Sequence, residues 1–210
     1  MLGSVLSSNN EREAARACYE EALAISREIG DQDGVASTMA ELANLSRRQG
    51  DLNTARRLFD QVAEVEKEIG DTRDHPWRRY QLASLEIREG AYTAAGAHLR
   101  QALRAFQKTG YEKTGALSCL HALGCLAGSQ RHWERMARLF GSEEAQRQVF
   151  QLPPETDWQD CYSRSMEAGR TALGAEVFTA CWQEGRRMSW EQAVAFAEIG
   201  EMEEPHFAHK

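Results

Sequence analysis

Gln49-Gly50-Asp51-Leu52-Asn53-Thr54-Ala55-Arg56-Arg57-Leu58-Phe59-Asp60-Gln61-Val62, running on to Glu68-Ile69-Gly70-Asp71, reads as one helix with punctuation at both ends. Ala55, Leu58, Phe59, Val62 and Ile69 follow spacings of three, four and seven, so they share one helical face. Gly50 can adopt the left-handed conformation that closes the preceding helix, and the Asp51 side-chain oxygen can cap the next one. Gly70-Asp71 repeats that punctuation at the far end.

The same pattern occurs on both sides. Glu28-Ile29-Gly30-Asp31 recurs as Glu68-Ile69-Gly70-Asp71 and, more loosely, as Lys108-Thr109-Gly110-Tyr111, a step of 40 residues from 28 to 68 to 108. Gln49-Gly50-Asp51 recurs as Glu89-Gly90-Ala91 at the same step. The apolar face returns as Ala95, Leu99, Ala102, Leu103 and Phe106, and upstream as Ala15, Tyr19, Ala22 and Ile29. The preceding helix repeats too: Leu42-Ala43 and Leu45 correspond to Leu82-Ala83 and Leu85, and to Leu2-Gly3 and Val5. A fourth copy, with about one extra residue, runs through Leu123-Gly124, Met136 and Phe140. Each unit is a helix, a tight turn, a second helix and a short link. Small residues at 15, 55 and 95, with 3, 43 and 83, let paired helices approach, and large ones at 19, 59 and 99 fill the gap to the next pair.

This order of small, alanine and aromatic positions resembles the tetratricopeptide repeat over roughly residues 1–150. The resemblance implies an all-α, right-handed superhelical solenoid of antiparallel helix pairs. Its units, approximately 1–30, 31–70, 71–110 and 111–150, are nearer 40 residues than the usual ~34, and the proline common at unit boundaries is missing. The first unit is truncated, because only Met1 and Leu2 precede Gly3. An exposed solenoid end normally carries a polar cap. The chain is therefore expected to belong to a longer protein, or to cover its first face with a partner or a second copy.

After Phe150, Leu152-Pro153-Pro154 interrupts the helical pattern. Three helices are expected at about 155–172, 174–185 and 189–199, the last opened by a capping box at Ser189-Trp190-Glu191-Gln192. Residues 151–200 then form a C-terminal helical cap, and 201–210 a polar tail. The run Arg138-Leu139-Phe140-Gly141-Ser142-Glu143-Glu144-Ala145, followed by Ala172-Leu173-Gly174 and Trp182-Gln183-Glu184-Gly185-Arg186, is similar to the end of the repeat region in bacterial signalling ATPases. These include LuxR-type transcriptional regulators and relatives fused to cyclase or kinase domains. The resemblance implies a sensor or scaffold region of a multidomain signal-transduction or transcription-regulatory protein. A free-standing scaffold that self-associates through its open first unit is the alternative.

Composition narrows the partners. A formal charge of −7 argues against direct nucleic-acid binding. No apolar run has the length to span a bilayer and no leader-like segment opens the chain, which reads as a cytoplasmic protein. Five cysteines with no C-x-x-C pair fit a reducing compartment. Cys119 and Cys125, six apart on one helix, point to roughly opposite faces, so no metal site is expected. The chain holds no G-x-x-x-x-G-K-[ST], G-x-S-x-G or H-E-x-x-H motif, and we expect no catalytic site and no cofactor. His98, His121 and His132 have no orienting carboxylate at helical spacing.

The resemblance implies that first helices line a concave groove for a protein or peptide. By register the groove candidates are Asn44, Arg47 and Arg48, then Trp77, Tyr80, Ser84 and Arg88, then His121 and Cys125. Asn44 matches an asparagine that holds the ligand backbone in peptide-binding members. Ala40 stands where a lysine of the carboxylate clamp would be, so recognition of chaperone tails is not expected.

Overall fold

A computed structural model of the chain describes residues 12–70, 75–109, 113–155 and 157–199. Among them all regular structure is helical, in two bodies, Met1–Asp74 and His75–Lys210. The first-helix copy at Leu2, Gly3 and Val5, and the tail after 200, lie outside the described residues.

The N-terminal body holds α1 (Arg12–Glu28), α2 (Gln32–Arg48) and α3 (Leu52–Glu68). The expected punctuation is present. Gly30, Gly50 and Gly70 have φ of 71°, 85° and 64°. Asp31 accepts from the Gly34 N–H at 2.9 Å, and Asp51 from the Thr54 N–H at 3.0 Å. Each such cap satisfies one of the amide groups that a helix start leaves without an intrahelical partner. Ala15, Ala43 and Ala55 have no exposed surface, and Phe59 and Val62 are buried beside them. The repeat pattern thus marks the residues that let helices meet.

The C-terminal body holds α4 (Pro76–Glu89), α5 (Tyr92–Thr109), α6 (Lys113–Ser129), α7 (Trp133–Phe150), α8 (Gln159–Leu173), α9 (Ala175–Arg186) and α10 (Trp190–Glu198). Pro76 opens α4 at a position where no amide donor is needed. Gly90, at φ 80°, closes the same helix. Helix α6 is central. From Gly115 to Gly128 every residue is buried, because α5, α7 and α8 all pack on it. Its glycines make that possible: a Cβ on Gly124 would sit 2.6 Å from the Phe140 ring, and one on Gly115 2.5 Å from Phe106. Met136 and Phe140, the apolar residues of the fourth copy, are likewise buried.

The three terminal helices fall near their expected places. Ser189 and Gln192 exchange both capping-box hydrogen bonds, at 2.9 and 3.2 Å. Helix α8 starts at Gln159 rather than near 155. Residues 152–155 run without helical structure across the faces of α6 and α7 instead. Arg135, buried on α7, donates to the backbone oxygens of Phe196 and Ile199 at 3.2 and 2.7 Å, supplying donors for carbonyls left open at the end of α10.

Candidate functional site

The groove candidates of the N-terminal body sit at the end of α2. Arg47 is 1% exposed, and its guanidinium donates twice to the Asn44 side-chain oxygen, at 3.1 and 2.7 Å. The asparagine is therefore engaged by its own helix. Arg48 is exposed. Tyr19 of α1 lies in the same electrostatic neighbourhood; burial and the Glu41 carboxylate push its hydroxyl up to about 12, against the opposing charge of Arg48.

In the C-terminal body the candidates converge, but under a cover that register could not show. Trp77 is 40% exposed and stands edge-on to Tyr80 and Phe106 at 5.8 and 5.0 Å. Tyr80 is buried, and its hydroxyl accepts from the Trp158 Nε1–H at 2.9 Å. Ser84 is buried and donates to the Tyr80 carbonyl. Arg88 is exposed and lines a hollow of about 490 Å3 with Asp157, Asp160 and Arg164. His121 and Cys125 are buried on α6. Tyr80, Ser84, His121 and Cys125 therefore do not line an open groove, because the chain's own residues 152–155 and 157–165 lie over that part of the first-helix face.

We call this segment the strap. Pro153 fixes its entry, with the carbonyl accepting from Arg147 Nη1 at 2.8 Å. Glu155 accepts from Ser118 Oγ at 2.5 Å and from Arg147 Nη2 at 3.1 Å. Burial pushes the Glu155 carboxyl up. The Ser118 hydroxyl, the Asp157 amide and the charges of Arg147 and His121 outweigh that and hold it below the usual carboxylate range. Trp158 follows, 4% exposed, and then Tyr162, whose ring stacks on His121 at 5.5 Å and 27°.

Beneath the strap lies an ionic cluster. Arg147 also pairs with Glu143 one turn back on α7, both side chains being almost fully buried. His121 Nδ1 stands 3.4 Å from the second oxygen of Glu143. Similarly His98 Nδ1 meets Glu86 of α4 at 2.8 Å. His98 and His121 thus each have a carboxylate, supplied by a neighbouring helix rather than by their own. Sequence reading missed Glu143, Arg147, Glu155, Trp158 and Tyr162. The spacing of Glu143 and Arg147, i to i+4, was the available signal, and it looks the same on a solvated face.

The cysteines divide by environment. Cys161 of α8 has its thiol lowered to about 7, first by a hydrogen bond from Cys125 and then by Ser165, Arg164 and His121, against its burial. Burial pushes Cys119 and Cys125 up. Because the thiolate is the nucleophile, iodoacetamide should alkylate Cys161 with a midpoint near pH 7 while Cys119 and Cys125 in the folded chain stay unmodified. Peptide mapping by mass spectrometry across pH 5.5–9 checks this; equal labelling of the three would show that the strap does not hold this environment. Among the described residues no group of three or more histidine, cysteine or acidic side chains could hold a metal ion.

Residues 1–68 match the family model described as Tetratricopeptide repeat. Over 86 residues the chain is 33% identical to proteins named as HTH-type transcriptional regulators from Mycobacterium bovis and from Mycobacterium tuberculosis strain H37Rv. The alignments cover 41% of this chain and 10% of each regulator, so the matched segment spans about a tenth of the length of the curated relatives. Among the described residues no helix is long and apolar enough to cross a membrane.

Proposed function

We propose that the chain is a protein-interaction and regulatory sensor module of a larger bacterial signal-transduction or transcription-regulatory protein, with residues 1–150 as tetratricopeptide-like repeats and 151–200 as their C-terminal cap. The carrying observation is the tetratricopeptide pattern together with the likeness to transcriptional regulators. Helix-pair repeats present extended surfaces suited to peptides and proteins. Arg48 and Arg88, both exposed, stand at equivalent positions one 40-residue step apart (48 + 40 = 88) and are the strongest anchors for a partner.

A photo-crosslinking amino acid placed at position 48 or 88 in the host cell should capture the same protein reproducibly. Position 64, an exposed glutamate on α3, should not. Changing Arg48 and Arg88 together to alanine should remove most of the capture with the helical circular dichroism intact. Equal capture from all three positions would sink the reading.

A second reading has its own observation. Ile25 and Ile29 on and just after α1 are 50% and 70% exposed, and unpaired apolar surface favours association. Adducts with a second copy of the chain, abolished by Ile25→Glu and Ile29→Glu, would select the self-associating scaffold instead.

A further inference from the structure

Cys125 of α6 and Cys161 of α8 meet where the strap's helix packs on the repeats. A glycine sets that contact. Gly128 has no side chain to hold the two helices apart, and a Cβ there would lie 2.5 Å from Ser165 Oγ. About one turn earlier on each helix stands a cysteine. The Cys125 thiol donates a hydrogen bond to the Cys161 sulfur, and Cys161 Sγ also stands 3.9 Å from Ser165 Oγ. Thiols that share a hydrogen bond are within reach of joining, whereas a distant pair would require the backbone to move.

The two sulfurs differ in access. Cys125 has no exposed surface. Cys161 is half-buried and lines the hollow of about 490 Å3 that it shares with Arg88, Ser129, Asp157, Asp160 and Arg164. A small solute entering that hollow therefore meets the Cys161 sulfur and not the one behind it. The hydrogen bond from Cys125 and the charge of Arg164 favour the Cys161 thiolate, which is the attacking form. Burial keeps the proton on Cys125. A reachable thiolate with a protonated thiol directly behind it is suited to oxidation in two steps.

We propose that Cys161 is an oxidation site for hydroperoxides and that Cys125 resolves it, closing a reversible disulfide between α8 and α6. In the first step the Cys161 thiolate attacks a peroxide oxygen. The O–O bond breaks, an S–O bond forms, and the leaving hydroxide or alkoxide takes a proton from solvent. In the second step Cys125 Sγ attacks the sulfenic sulfur. The S–O bond breaks, the S–S bond forms, and the Cys125 proton leaves with the hydroxyl as water. The two thiols give up two electrons and the peroxide gains them; a dithiol reductant reverses the change. The bond fastens α8, and the strap leading into it, over the face that holds Tyr80, Ser84 and His121. This inference stands independently of the partner-binding reading above.

The test treats the full chain with hydrogen peroxide at neutral pH, blocks remaining thiols with N-ethylmaleimide and maps the non-reduced peptides by tandem mass spectrometry. A Cys125–Cys161 disulfide should be the main product, and dithiothreitol should restore both thiols. The oxidised chain should show a higher urea midpoint by tryptophan fluorescence, because the crosslink restricts the unfolded chain. Cys161→Ser should abolish the disulfide and leave Cys125 a thiol. Cys125→Ala should leave a sulfenic acid at Cys161 that dimedone traps. Tryptophan fluorescence confirms that each variant is folded; if Cys125→Ala is not, the wild-type map and Cys161→Ser decide. No oxidation at Cys161, pairing of Cys161 with another cysteine, accumulation of its sulfinic acid beside an intact Cys125 thiol, or an oxidised chain no harder to unfold overturns the proposal.

Discussion

Replacing Arg147 with methionine is expected to lower the stability of the C-terminal body by about 3–5 kcal/mol, the usual cost of removing one partner from a buried ion pair. The loss is not that of three hydrogen bonds alone. Methionine fills most of the volume, but Glu143 and Glu155 are left without their cation and the Pro153 carbonyl without its donor. The measurement is clean because all five tryptophans, at 77, 133, 158, 182 and 190, lie in the C-terminal body. Urea titration followed by tryptophan fluorescence therefore reports on that body.

The pH dependence has a definite sign. Despite its burial, the Glu155 carboxyl is held below its ordinary value by Ser118, Asp157 and Arg147. A group depressed in the folded state contributes stability above its unfolded pKa, about 4.3 for glutamate, and loses it as pH falls through the folded value. The wild-type midpoint should therefore decline below about pH 4.5. In Arg147→Met the burial remains and the cation is gone, so protonation now relieves the folded state. The gap between variant and wild type should narrow from pH 7 to pH 4. A loss under about 1 kcal/mol, or a gap that does not change with pH, would mean that water reaches the cluster and screens it.

What was legible in the sequence and what was not follow from the range of the forces involved. Gly30, Gly50, Gly70 and Gly90, with the Asp31 and Asp51 caps, are requirements of the local backbone, so they recur at a fixed step and can be read without knowing what packs where. The capping box at Ser189 is local in the same way. The strap is not. Nothing periodic marks Glu155 or Trp158, whose partners Ser118 and Tyr80 lie 37 and 78 residues away. Local reading starts α8 just after Pro154, whereas residues 152–155 are not helical and α8 begins at Gln159, after the contacts of Glu155 and Trp158. The same contacts decide the fate of Tyr80 and His121. Register places both on the first-helix face, and only the strap determines that this part of the face is covered.

Gly185→Ala is expected to destabilise the C-terminal body by about 2–3 kcal/mol, although alanine is intrinsically the better helix former by about 1 kcal/mol. Gly141 on α7 and Gly185 on α9 mark a crossing where two backbones touch. A Cβ on Gly185 would lie 2.1 Å from the Arg138 carbonyl oxygen, and one on Gly141 would lie 2.2 Å from that of Trp182. Neither obstacle is a side chain that can change rotamer, so the helices themselves must separate. That movement would loosen Phe178 and Cys181, buried on α9, and the salt bridges from Arg138 to Glu184 and from Arg186 to Glu144 across the same pair. Gly141→Ala should behave alike, and the double variant should cost clearly less than the sum, because the first methyl already opens the crossing for the second. Gly50→Ala is the control: its φ of 85° also disfavours alanine, but no atom lies within 4 Å of the added Cβ. It should strain the turn by about 1 kcal/mol, and the tryptophan-reported transition should not move. Unfolding curves by tryptophan fluorescence separate the cases. If Gly185→Ala were neutral or stabilising, α7 and α9 would have to slide apart at no cost, and close backbone contact would not be what fixes the cap on the repeats.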